Sequence, residues 1–248
     1  MSRSRLIWSL WTLFSALLFA SSLNAQSLSI TLDEGGSLAQ TSIQLLVLIT
    51  VLSLVPGLAV MITCFPFVVT VLSILRQAIG LQQSPPNMLI VSLALFLSYF
   101  VMEPVFSLAW DRGLSPYIAE QIDLSAAITE TLAPFREFMA ARTDPNTFSE
   151  LSDLRPAGEG FGGQLSSNAP LSVLIPSFLL SEIERAFQIG FLIFLPFLII
   201  DLVVAAILMS MGMMMVPPAM VALPFKLAFF VVADGWTLIS SALVRGYF

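Results

Sequence analysis

Apolar positions in this chain fall in long unbroken runs rather than in alternation. One extends from about Leu38 to Leu75, a second from Met88 to Trp110, a third from Ala186 to Val216 and a fourth from Ala219 to Val244. Runs of this length predict helices that sit in lipid or against other protein, not strands. The first is too long for a single span: as a helix it reaches roughly 55 Å, nearly twice the hydrocarbon core of a bilayer. Pro56-Gly57 and Pro66 are where it is expected to break or kink. Glu103-Pro104 interrupts the second run, Pro196 and Asp201 lie inside the third, and Pro224, Lys226 and Asp234 lie inside the fourth.

Two joints look alike. Pro85-Pro86-Asn87 separates the first two runs and Pro217-Pro218 the last two. A proline holds the residue before it out of the helical region, so each pair predicts a hairpin tip. The expected fold class is an all-α membrane protein. Two long apolar helical hairpins with kinked helices, residues 38–110 and 171–248, are joined by an acidic, partly helical segment over 111–170. Within that segment Leu124, Ile128, Leu132, Phe135 and Met139 recur at helical spacing and make one apolar stripe, with Arg136, Glu137 and Arg142 off it. Ser115-Pro116 predicts the cap and first turn of a short preceding helix. After Asp144-Pro145 the chain reads as loop. The glycines at 158, 160, 162 and 163 suit a surface loop better than a phosphate cradle, because no strand–loop–helix pattern or lysine surrounds them.

The first 25 residues read as a cleaved signal peptide: Arg3 and Arg5, then an apolar stretch from Leu6 to Ala20, then small residues up to Ala25. The alternative is a first membrane anchor that is retained. Removal of a signal places the mature start outside the cytoplasm, turns both proline tips to the cytoplasm and leaves Arg76 on the expected inner side.

Composition narrows the function. Of 248 residues 57% are hydrophobic and 10% charged, against about 25% charged in a soluble domain. The net charge of −6 argues against a nucleic-acid partner, which needs clustered Lys and Arg. Histidine is absent and Cys64 is the only cysteine, which removes serine–histidine triads, zinc-protease motifs and an internal disulfide.

Charges inside apolar runs are costly unless paired or wet, so Asp201, Lys226 and Asp234 are candidate functional residues. They either pair with one another and fix helix packing or line a water-filled path that relays protons. Glu182, Glu184 and Arg185 read as a charged start to the third run. Six of the eleven methionines lie between Met209 and Met220. Flexible, polarisable side chains so clustered form either an adaptable contact surface or ordinary packing. In a ring of subunits, Met209, Met211, Met213, Met214 and Met215 would make a soft apolar constriction. Gly212 beside the proline pair suggests that the helix loosens there. Gly190 marks either close helix approach or simple tolerance of glycine.

At these residues the chain resembles the FliP/SctR family of type III export-gate subunits. The matching stretches are Leu75 to Gly80, Pro85 to Asn87, Leu93 to Leu97, Arg136 to Met139, Ala186 to Phe191, Asp201 to Val203, Met213 to Pro218, Ala222 to Leu227 and Asp234 to Trp236. The resemblance covers most of the chain from about Gln44. It implies a homo-pentameric ring that builds a helical export channel with FliQ and FliR, with FlhB and FlhA adjacent and FliO as assembly factor. The channel would pass unfolded flagellar proteins across the bacterial inner membrane and extend to the periplasmic side. The resemblance further implies a methionine gasket at Met213, Met214 and Met215 with Met209 and Met211 nearby, and inter-subunit or functional charges at Glu182, Lys226 and Asp201. No catalytic residue, cofactor or metal follows from it. Pro66-Phe67 departs from the family pattern, and the acidic segment from Leu114 to Asn168 matches it weakly. With the signal peptide, the resemblance favours a flagellar over a virulence system.

Two rival classes fit parts of the pattern. Broken helices with intramembrane Asp and Lys suit a proton-coupled small-solute transporter subunit. A pair of membrane aspartates, Asp201 and Asp234, is what an intramembrane aspartyl protease needs, although Asp234 lacks the glycine setting those enzymes share.

Overall fold

The computed structural model describes residues 38–80, 85–154, 164–213 and 215–247. The signal-peptide reading over 1–25, the glycines at 158, 160, 162 and 163, and Met214 all lie outside the described residues. By internal contacts the chain divides into a unit ending at Val51 and a second running from Leu52. Every regular element among the described residues is helical, with no strand among them.

The elements are α1 (Leu38–Met61), α2 (Phe65–Ile79), α3 (Asn87–Ala109), a π-helical turn (Trp110–Leu114), α4 (Ser115–Ile118), α5 (Leu124–Arg142), α6 (Pro145–Asp153), α7 (Leu171–Ser210), α8 (Pro218–Val232) and α9 (Gly235–Arg245). Three stretches are long and apolar enough to cross a membrane: Ser42–Met61, Asn87–Ile118 and Leu171–Ser210. The pair α8 and α9 makes a fourth if its 61° bend is counted within one span.

Several expected boundaries shift. Pro56 lies inside α1 and ends nothing. The first run breaks instead at Ile62–Cys64, and Pro66 occupies the first turn of α2, where a missing N–H costs no helical bond. Glu103-Pro104 does not interrupt the second run, which continues through α3, the π turn and α4. The third run begins at Leu171 rather than near Ala186, and it passes through Pro176 and Pro196 for 40 residues. The fourth run splits at Ala233–Asp234, with Asp234 in the left-handed region (φ 47°). Asp144-Pro145 starts a helix and not a loop: the Asp144 carboxylate accepts from the Thr147 N–H at 2.9 Å and Pro145 takes the first turn.

The core forms around α2. Phe67, Val68, Val71, Leu72, Leu75, Ala78 and Ile79 are all buried, against Ala186 and Phe197 of α7, Ile90 and Ala94 of α3, Phe230 of α8 and Leu243 of α9. Gly80 ends α2 in the left-handed conformation (φ 89°) that glycine takes without strain. A second cluster joins α5, α6 and the start of α7 through Met139, Phe148, Val173, Leu174 and Phe178.

The stripe expected on α5 is only half right. Met139 is buried, but Leu124 and Ile128 are exposed, and Ala127 and Pro134 are buried in their place. The reason lies opposite them. Gly113 of the π turn approaches α5 so closely that a Cβ there would stand 2.7 Å from the Thr131 nitrogen and 2.9 Å from the Ala127 carbonyl oxygen. Only small side chains admit that approach, so the bulky ones point elsewhere.

Candidate functional site

The residues singled out above are strung along α7 and its continuation. Glu182 and Asp201 are 19 positions apart on one helix, about 28 Å along its axis. The structure therefore gathers them into separate places rather than one site.

The first is centred on Glu182, which is fully buried. It lies a third of the way into α7 and is not part of a charged helix start. Arg142, at the end of α5, donates from Nε to Glu182 Oε1 at 3.1 Å and from Nη1 to the Gly246 carbonyl at 3.0 Å. The Tyr247 hydroxyl donates to Glu182 Oε2. Both carboxylate oxygens are thus satisfied within the chain, as a buried charge requires. Tyr247 lies beyond the candidate spans; burial, and then the charge of Glu182, push its hydroxyl far above the usual tyrosine range and keep it a donor. Cys64, between α1 and α2, is also fully buried, and burial pushes its thiol up to about 11.

The second place is centred on Lys226 of α8. Its Nζ donates to Asp201 Oδ2 at 2.6 Å and to the Ala78 carbonyl at 3.0 Å, joining α8 to α7 and to the end of α2. Lys226 is buried and Asp201 about a third exposed. Asp201 Oδ1 is buried without a hydrogen-bond partner. Of the three charges read as mutual partners, Asp234 stands apart: it is exposed in the α8–α9 bend and accepts from the Thr237 hydroxyl at 3.1 Å.

The third place is the methionine connection. α7 ends at Ser210, and the described residues from Met211 to Pro217 are not helical. Gly212 is left-handed (φ 73°), its N–H bonds the Met209 carbonyl at 3.1 Å, and the Met213 N–H bonds the Leu208 carbonyl at 3.0 Å. This glycine-ended double bond closes the last turn of many helices. Met209 therefore belongs to the helix, while Met211, Met213 and Met215 belong to the connection, and all four are exposed, Met215 almost completely. Pro217 precedes α8 in an extended conformation and Pro218 begins it. At the other proline pair Pro86 caps α3, and Arg76 donates to Asn87 Oδ1 and, at 3.5 Å, to the Pro85 carbonyl.

Among the described residues no three His, Cys, Asp or Glu side chains meet as a metal group.

A family model described as the FliP family matches residues 48–243, which takes in Arg142, Glu182, Asp201, Lys226 and the methionine connection. The chain belongs to the FliP family. It is 43% identical over 245 residues to the flagellar biosynthetic protein FliP of Caulobacter vibrioides, covering 99% of this chain and 91% of that protein. It is 42% identical over 207 residues to the FliP of Bacillus subtilis, covering 84% and 92% of the two chains. It is 43% identical over 206 residues to the FliP of Aquifex aeolicus, covering 83% and 86%. Within this FliP-family chain, sequence reasoning missed Arg142 and Tyr247. Arg142 was placed off the apolar stripe, and no spacing signal links Tyr247 to Glu182, 65 residues away.

Proposed function

We propose that this chain is the pore-forming subunit of the flagellar type III export gate, passing unfolded flagellar proteins across the inner membrane. Its relatives' name, flagellar biosynthetic protein, supports the setting. One structural observation supports the assembly. The most apolar window of α7 is only 11% buried within the chain, so this bare apolar surface has to be covered by lipid or by other subunits.

On this reading the chain forms a homo-pentameric ring with FliQ and FliR, its paired helices extend to the periplasmic side, and FlhB and FlhA stand beside it. FliO assists assembly. The exposed Met209, Met211, Met213 and Met215, together with Met214, supply a soft apolar constriction that yields to a moving polypeptide. Lys226 and Asp201 tie α8 to α7 on either side of that connection. Native mass spectrometry of the detergent-extracted protein, alone and with FliQ and FliR, tests the proposal. A discrete ring that takes up both partners is expected; a monomer or dimer that ignores them refutes it.

A further inference from the structure

Met209, Met211, Met213 and Met215 are 63%, 66%, 42% and 97% exposed, whereas Met102 of α3 and Met139 of α5 are 0% and 1% exposed. The backbone beneath the four is held. Besides the two bonds that close α7, the Val216 N–H reaches the Met213 carbonyl at 3.3 Å. A Cβ on Gly212 would meet nothing within 4 Å, so the connection stands clear of the rest of the chain there. The buried cluster beside it, Val204, Leu208 and Ala222, contains no methionine. A change of polarity at these four side chains therefore costs the fold little.

Thioether sulfur is the group on this surface that can be altered reversibly. We propose that Met209, Met211, Met213 and Met215 form a sulfoxidation site, at which a hydroperoxide turns the apolar connection polar and a dithiol reductase turns it back. The sulfur lone pair attacks the outer peroxide oxygen, so that an S–O bond forms as the O–O bond breaks. Sulfur is oxidised by two electrons and the peroxide is reduced. The proton on the attacked oxygen passes to the departing one, which leaves as water or an alcohol. Two thiols reverse the step, giving thioether, disulfide and water. The consequence rests on the export-gate proposal: a constriction that excludes ions by being apolar hydrates once its lining carries sulfoxide dipoles. Side chains lining such a passage stay within reach of a small peroxide.

The detergent-extracted full chain, and the same protein in reconstituted vesicles, would be treated with hydrogen peroxide. Peptide mass spectrometry reads the gain of one oxygen at each methionine, and ion flux reads the constriction. The four are expected to oxidise at least about tenfold faster than Met102 and Met139, whose sulfurs react only through openings of the fold. Flux should rise several-fold and fall again after methionine sulfoxide reductase. A variant with leucine at positions 209, 211, 213, 214 and 215 should show no change in flux on peroxide, from whatever level it starts. That variant keeps Met61, Met88 and Met220, which are exposed elsewhere and control for oxidation outside the connection. Oxidation of the four no faster than of Met102 and Met139 overturns the site. Complete oxidation with unchanged flux, or an equal rise in the leucine variant, overturns its consequence. If no ring forms, the export-gate reading fails and the oxidation rates decide the site by themselves.

Discussion

Gly190 of α7 faces Ile74 of α2 so closely that a Cβ at position 190 would stand 2.4 Å from Ile74 Cδ1 and 3.1 Å from Cγ2. The absence of a side chain on one helix makes room for a branched one on the other, as in the small-residue contacts of membrane helix pairs. Gly190→Ala is expected to lower the thermal midpoint of the extracted protein by an amount corresponding to about 1–3 kcal/mol of overpacking. Ile74→Val removes the Cδ1 atom that clashes first, so the double variant should recover much of the loss. A double-mutant cycle with no coupling would show that the two helices are not interlocked there.

The Lys226–Asp201 pair should behave as a buried ion pair whose halves depend on one another. Lys226→Met strands the Asp201 carboxylate and frees the Ala78 carbonyl, and is expected to cost about 3 kcal/mol, the lower end for a broken buried pair because Asp201 is partly exposed. Adding Asp201→Leu removes the stranded charge and should restore stability in part. Thermal melts of the two singles and the double check this, and a double no better than Lys226→Met alone would refute it.

Arg142→Lys is not a conservative change here. The guanidinium serves Glu182, the Gly246 carbonyl and the Tyr247 ring together, a geometry that an ammonium on a flexible stem cannot reproduce. The lysine variant is expected to lose about 1.5–3 kcal/mol, the range for a charged hydrogen bond, and to show partial exposure of Phe138 and Tyr247 in aromatic NMR or near-ultraviolet dichroism. A wild-type melt and spectrum would show that charge alone suffices.

Replacing Met213, Met214 and Met215 together by Ala should barely alter folding. Met213 and Met215 are exposed, and exposed substitutions shift stability by roughly 0.5 kcal/mol at most. If these side chains close a pore, the triple variant should nevertheless leak ions in reconstituted vesicles while ring yield stays normal. A variant as tight as wild type would remove the methionines from the gating proposal.

Long apolar runs, the proline pairs and the acidic middle segment were legible because length, hydropathy and helix-stopping residues are local properties of the chain. They predicted helices throughout, and they located Asp201 and Lys226 as charges needing partners. Helix ends were read less well where the deciding feature was a cap rather than a proline. Pro56 and Pro104 are carried within helices, whereas Asp144 and Gly212 mark a true start and stop through hydrogen bonds that pattern alone does not rank.

Partner choice belonged to the folded chain. In α7 nearly every position is apolar, so no amphipathic face announces which side will be buried, and Gly190 gains its meaning only from Ile74 opposite. Lys226 selects Asp201 and a carbonyl 148 residues away over the nearer Asp234 because helix packing sets which groups meet. Arg142 turns inward for the same reason. A buried charge must be satisfied by whatever the tertiary arrangement brings within reach, and that reach is a property of three dimensions rather than of spacing along the chain.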